Sequence, residues 1–142
     1  MVEWTKKIND IVEYIDSNST LLDNCKVVRS GDIEDVAMDL PCIEISAIAS
    51  FDNIPNSVNG YKVPIAKIDF FVNVTANSTP SASVDSAFEL AFKLFEILRK
   101  PLNRPFSNII FDSIVPVIKV DEHGQIANAE YATVVLNCQV AL

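Results

Sequence analysis

The chain has 142 residues, 49% of them hydrophobic, and carries 19 acidic against 11 basic side chains for a formal net charge of -8. That length fits one domain spanning 1–142 and able to bury a core, and the apolar content excludes a disordered tail. The acidic balance excludes a phosphate-neutralising groove and docking on anionic lipid, so neither nucleic acid nor membrane is expected as a partner.

The first segment, MVEWTKKINDIVEYI, mixes acids with its apolar residues and lacks the continuous apolar core of a signal peptide. Trp4, Ile8, Ile11, Val12 and Ile15 fall on one stripe of a helix that ends at Asp16-Ser17-Asn18-Ser19. Leu21, Leu22, Val27 and Val28 suggest a short extended stretch, closed by a turn at Arg29-Ser30-Gly31-Asp32. The acidic run from Gly31 to Asp35 reads as a solvated loop.

From Pro41 the period changes to two. Ile43, Ile45 and Ala47 share one side of a strand, and Glu44 and Ser46 the other. In the next strand Ile68, Phe70, Val72 and Val74 oppose Lys67, Asp69, Phe71, Asn73 and Thr75. Between them lies FDNIPNSVNGYKVPIA, Phe51 to Ala66, whose prolines, glycine and asparagines rule out uninterrupted central strand. It is too long for a tight hairpin and too apolar for a purely solvated connection, so it is expected to contact another protein. The expected contact residues are Asn53, Ile54, Pro55, Asn56, Val58, Asn59 and Tyr61.

A second helix follows, with Ser81 or Ser83 as the expected cap and Asp85 in its first turn. Val84, Phe88, Ala91, Phe92, Phe95 and Leu98 form a stripe that Ala87, Leu90, Leu94 and Ile97 widen, and Pro101 stops it. Phe88 and Phe95 are expected to face the sheet. So broad an apolar arc also needs cover from a second helix or another subunit. Ile109–Phe111 and Ile114–Val120 read as strand, with Pro116 marking an edge or bulge. After a turn at Asp121-Glu122-His123-Gly124, the last strand sets Ala132, Val134, Leu136, Cys138, Val140 and Leu142 against Tyr131, Thr133, Val135, Asn137 and Gln139. The expected fold is α+β in the order α-β-β-α-β-β. Its antiparallel sheet has about four main strands, and its helices pack mainly on one face.

Chemistry is sparse. The chain has three glycines, widely separated, and no phosphate loop, nucleophile elbow or HExxH. The single histidine, His123, sits in a turn, and the three cysteines, Cys25, Cys42 and Cys138, are far apart and read as free thiols in a reducing compartment. Sequons at Asn18, Asn73 and Asn77 read as chance in an Asn- and Ser-rich chain. Catalysis, a cofactor and a metal are not expected. Phe71, on an otherwise polar strand face, marks a subunit contact, strengthened by Tyr131 and Val135 on the outer face of the last strand.

The succession of amphipathic helix, Pro41-Cys42-Ile43-Glu44-Ile45, long hairpin excursion, KIDFFVNVTA, SVDSAFELAFKLFEILRKPL and closing AEYATVVLNCQVAL resembles the tail terminator (tail completion, minor tail protein U-like) proteins of long-tailed bacteriophages and prophages. The resemblance is architectural and covers essentially the whole chain. It implies a structural protein of the virion tail, assembled in the bacterial cytoplasm. Such a protein forms a homo-oligomeric ring, commonly a hexamer, on the end of the tail tube. There it stops tube growth and joins tail to head, with the tail tube protein and a head–tail connector as partners. Two alternatives remain at this stage: a small-molecule-binding or enzymatic ferredoxin-like α+β domain, and a stand-alone binding module using the Phe51–Ala66 loop.

Overall fold

The computed structural model describes residues 3–53, 62–101, 103–118, 122–124 and 130–142. Helix α1 spans Trp4–Ser17, strand β1 Lys26–Arg29, β2 Cys42–Asn53, β3 Lys62–Thr75, helix α2 Pro80–Leu98, β4 Ile109–Val117 and β5 Tyr131–Ala141. One sheet holds all five strands in the order β1-β2-β3-β5-β4. The α+β class is as the periodicity predicts. The four-strand antiparallel sheet is corrected to a mixed sheet of five strands, and the element order to α-β-β-β-α-β-β.

The extra strand is β1, which pairs parallel to β2 from Lys26↔Cys42 to Arg29↔Ile45. A parallel neighbour needs a crossover of about a dozen residues rather than a hairpin. Residues 30–41 supply it, and they include a short 3₁₀ turn at Val36–Met38 that the Asp35 carboxylate caps by accepting from the Ala37 N–H at 3.0 Å. Gly31 opens this excursion at φ +94°, a backbone conformation other residues adopt only with strain. Leu21 and Leu22 precede the strand instead of extending it: Leu21 ends a 3₁₀ turn, and Leu22 is buried.

Strands β2 and β3 form a long antiparallel hairpin whose register runs from Cys42↔Asn73 to Asn53↔Lys62. The Phe51–Ala66 excursion is therefore strand at both ends, Phe51–Asn53 finishing β2 and Lys62–Ala66 opening β3. Pro64 is tolerated in β3 because β5 pairs with β3 only from Ile65↔Ala141 onward. Beyond that rung β3 has no ladder on its β5 side for the missing N–H to break. Pro116 lies in β4, at a sheet edge and in regular register opposite Val134, while a bulge falls earlier in the strand, between Phe111 and Ser113.

The helices and one sheet face enclose a single core. Ile8, Ile11 and Ile15 of α1 join Leu90, Ala91, Leu94 and Leu98 of α2 over Ile43, Ile45, Ile68, Phe70, Val72, Val134, Leu136 and Cys138. The two helices meet where the Tyr14 hydroxyl donates to the Ile97 carbonyl at 3.1 Å. That bond satisfies one of the orphan acceptors at a helix C-terminus. Beyond it, Arg104 donates to the carbonyls of Leu98, Phe106 and Ser107 at 3.2, 3.1 and 2.7 Å, pinning the turn that leads into β4.

Three details of α2 depart from expectation. Its cap is Thr79, whose Oγ1 accepts from the Ala82 N–H at 3.2 Å, with Pro80 at the first helical position. Proline fits there because its absent N–H has no intrahelical acceptor to lose. Ser83 is buried instead, donating to the Thr79 carbonyl and accepting from the Asn77 N–H, and Asp85 falls beyond the first turn. The inward face centres on Ala87, Leu90, Ala91, Leu94 and Leu98. Phe88 and Phe95 flank this face instead of centring it, although Phe95 still meets the sheet as expected, stacking edge-on against Phe111 of β4 at 4.6 Å between ring centroids. Phe92, placed in the stripe by spacing, is 55% exposed. Close approach of helix to sheet favours small residues at the centre of the contact and moves large rings to its flanks.

Leu94→Ala should therefore cost about 2–5 kcal/mol of unfolding free energy, and Phe92→Ser should stay within about 0.5 kcal/mol of the parent. Urea unfolding of the two variants measures the contrast. A larger loss for Phe92→Ser would reverse the orientation of α2.

Candidate interaction surface

The face of the sheet turned away from the helices is where the predicted contact residues lie. Registers place Val28, Glu44, Phe71, Val135 and Val115 in one row across all five strands. Phe71 and Val135 are thus direct cross-strand partners, a pair the sequence put on separate elements. Phe71 is half-buried and Val135 is buried. Tyr131 belongs to the same face, opposite Thr75 at the end of the β3–β5 ladder, and is half-buried.

The largest exposed apolar side chains of this face were not singled out from the sequence. They are Ile48 of β2 at 61%, Ile110 of β4 at 63%, and Val115 of β4 at 43%. A signal was present: Ile48 breaks the apolar–polar alternation of its strand, and β4 is apolar in both phases. Among the contact-loop residues, Asn53 ends β2. Ile54, Pro55, Asn56, Val58, Asn59 and Tyr61 lie outside the described residues. The paired ribbon leading to them carries exposed Phe51 and Val63 and extends beyond the last rung shared with β5.

One row further along, the same face holds a buried polar cluster. Asn73 and Thr133 are nearly inaccessible and Cys42 is wholly so. The Thr133 hydroxyl donates to Asn73 Oδ1 at 2.6 Å, while Asn73 Nδ2 reaches Glu44 Oε2 at 3.2 Å and Cys42 Sγ at 3.5 Å. Every buried side-chain nitrogen and oxygen among the described residues has a partner. Such a network favours a single register, because a slip by one residue would leave its polar atoms unpaired in the interior. Its burial also removes Asn73 from reach as a glycan acceptor, in keeping with a chance sequon.

The chemistry of this cluster is passive. Desolvation pushes the Cys42 thiol above its usual range, partly opposed by the Asn73 hydrogen bond. Cys25 is raised to about 11 and Cys138 to about 12, both chiefly by burial. Protonated thiols are poor nucleophiles. His123, in the exposed turn 122–124, lies 3.6 Å from the Glu122 carboxylate, and Asp121 is outside the described residues. Among the described residues no group of three or more His, Cys, Asp or Glu is placed to hold a metal. No described helix is long and apolar enough to cross a membrane. A depression at the start of α1, lined by Glu3, Trp4, Thr5, Lys6, Asn9 and Asp10, is open to solvent, and its Lys6 is already paired with Asp10 at 3.0 Å.

No family model matches this chain, and no characterised protein matches its sequence significantly.

Two outcomes follow. Thr133→Val leaves Asn73 Oδ1 without its buried donor and should cost about 1–3 kcal/mol, and adding Asn73→Leu should recover much of that loss. A double-mutant cycle in urea reads the coupling, and additive losses would mean that the bond contributes nothing. The thiols set an alkaline limit. Their folded-state values of about 11 and 12 for Cys25 and Cys138 exceed the ordinary thiol value of 9.0, so above pH 9 the unfolded chain releases protons that the folded chain keeps. Stability then falls as pH rises from about 9 towards 11–12, by up to about 1.4 kcal/mol per pH unit and thiol. Cys138→Val should flatten the decline of melting temperature between pH 8.5 and about 10.5. An unchanged slope would show that other groups carry it.

Proposed function

We propose that this protein is a non-catalytic assembly subunit of the tail-terminator type. It forms a homo-oligomeric ring, of six copies, on the end of a phage or prophage tail tube. The ring stops tube growth and joins the tube to the head connector in the virion tail. The observation that carries the reading is the one-sided architecture. Both helices pack on one sheet face, while the other presents Phe71 beside Val135 and exposed Ile48, Ile110 and Val115. Exposed apolar side chains set in rows beside polar ones on an uncovered sheet face suit a surface that another protein covers.

Two further features support it. A ring built from one chain uses head-to-tail contacts between two different patches. The sheet ends in two unlike edges, the short parallel β1 and the bulged β4, at opposite sides of the molecule. The β2–β3 ribbon also extends past β5 with Phe51 and Val63 exposed, and cover by another protein would take that apolar surface out of water. In this reading the ribbon and its tip, residues 54–61, touch the tube protein, and the acidic surface seats charge-complementary partners.

Light scattering at rising concentration should reveal a species of about six times the 15.7 kDa subunit mass. Added to growing tubes of the cognate tube protein, it should cap them at uniform length. Replacing residues 54–61 with a short Gly/Ser turn should keep the melting temperature and abolish capping. A protein that stays monomeric with tubes present and leaves their length unchanged would overturn the reading.

A further inference from the structure

The two central strands carry a pattern on the open face that reads the same in both directions. Along β3 the outward residues are Ile65, Lys67, Asp69 and Phe71: apolar, charged, charged, apolar. Their rung partners on β5 are Ala141, Gln139, Asn137 and Val135: apolar, amide, amide, apolar. Both series are symmetric about the same line, which crosses the strands at the Ile68↔Cys138 rung. We infer that this face receives a second copy of the same chain, stacked face to face about a two-fold axis along that line.

The geometry makes each strand lie antiparallel over its own copy. Lys67 then meets Asp69 of the second copy, and the reciprocal pair forms at the same time. Gln139 meets Asn137, while Ile65 and Val135, already buried within their own copy, lie under Phe71 and Ala141 of the second. No like charges oppose each other in this block. Stacked sheets cross at roughly 30°, which shifts outer strands apart but leaves those nearest the axis in register. The palindrome occupies these two strands, while β2 and β4 contribute exposed Ile48, Ile110 and Val115 as flanking apolar cover.

The size is sufficient. Four rows over four strands, at ~6.7 Å per row and ~4.8 Å per strand, cover on the order of 500 Å² per copy. That gives roughly 1,000 Å² in total, the lower bound of a specific interface. The inference does not rest on the terminator reading. The terminator reading draws on the same open face but needs only that some other protein cover it, so the two can fail separately.

Charge exchange tests it in the whole protein by sedimentation at ~0.15 M salt, where the mutual repulsion of the acidic copies is screened beyond ~8 Å. Lys67 is exposed and Asp69 half-buried, and thermal melts of each variant verify that the fold is kept. The parent should dimerise at ~100 µM, above the micromolar constant expected of a small interface. Lys67→Asp sets acid over acid twice, and Asp69→Lys sets base over base twice. Each should weaken dimerisation roughly a hundredfold. The double exchange Lys67→Asp/Asp69→Lys should restore the dimer, and an equimolar mixture of the two single variants should form a heterodimer.

A parent that is monomeric at that concentration overturns the inference. So does an oligomer of any size that the single exchanges leave intact. A six-copy species unaffected by the exchanges would overturn it while upholding the ring. A dimer that obeys the exchange rules but never caps tubes would do the reverse.

Discussion

Strand β3 is the constraint on which the molecule depends. It sits at the centre of the sheet and carries its two longest antiparallel ladders, to β2 from Cys42↔Asn73 to Asn53↔Lys62 and to β5 from Ile65↔Ala141 to Thr75↔Tyr131. Its strict alternation fixes which face the helices cover. Ala66, Ile68, Phe70 and Val72 are all buried beneath them. A slip of one rung would turn Lys67, Asp69 and Asn73 into that core, where each unpaired polar group costs kilocalories. The Thr133–Asn73–Glu44 hydrogen bonds act from the other side of the same strands. Apolar burial on one face and polar satisfaction on the other thus specify a single register.

The helices answer to that sheet. Helix α2 lies nearest β5 and β3, and its closest positions are occupied by Ala87, Leu90, Ala91 and Leu94, while its phenylalanines sit at the margins or in solvent. Helix α1 covers the β1 side and closes on α2 through Tyr14. The ion pairs Lys26–Asp39, Lys93–Asp23 and Arg99–Glu96 all lie at the surface, where such contacts contribute little. Packing and backbone pairing, rather than charge, hold this acidic domain together.

The open face follows from the same economy. A single helical layer can bury only one side of a five-stranded sheet. What remains on the other side is neither the uniformly charged exterior of a monomer nor the continuous apolar surface of a core. It is ordered in rows: a buried polar cluster, an apolar row at Phe71 and Val135, polar rows at Asp69/Asn137 and Lys67/Gln139, then Ile65 and Ala141. Such banding suits a surface matched by another protein. Apolar rows gain by leaving water, and interleaved polar rows restrict which partner and which orientation fit.

The sequence by itself determined the elements and their faces. The 3.6-residue stripe of Trp4 to Ile15 and the period-two runs around Ile43, Phe70 and Val134 are local properties, because side-chain direction follows from backbone geometry alone. It also limited Pro116 to an edge or a bulge, of which the structure takes the edge, and placed Cys138 on the buried face of its strand. Only the tertiary structure decided matters that depend on neighbours. The parallel pairing of β1 with β2 depends on a crossover, residues 30–41, that brings the chain back alongside. The choice of Thr79 over Ser81 or Ser83 as cap goes with Pro80 at the first helical position, and the rotation that exposes Phe92 while burying Ala87 is set by packing on the sheet. The contact surface divides in the same way. Phe71, Tyr131 and Val135 were legible as apolar residues out of phase with a polar face, each within its own strand. That Phe71 faces Val135, and that Lys67 and Asp69 align with Gln139 and Asn137 as a palindrome, appears only once β3 and β5 are in register. The physical reason is that register between distant strands is a long-range choice, made by the summed burial of both faces and not by any one segment.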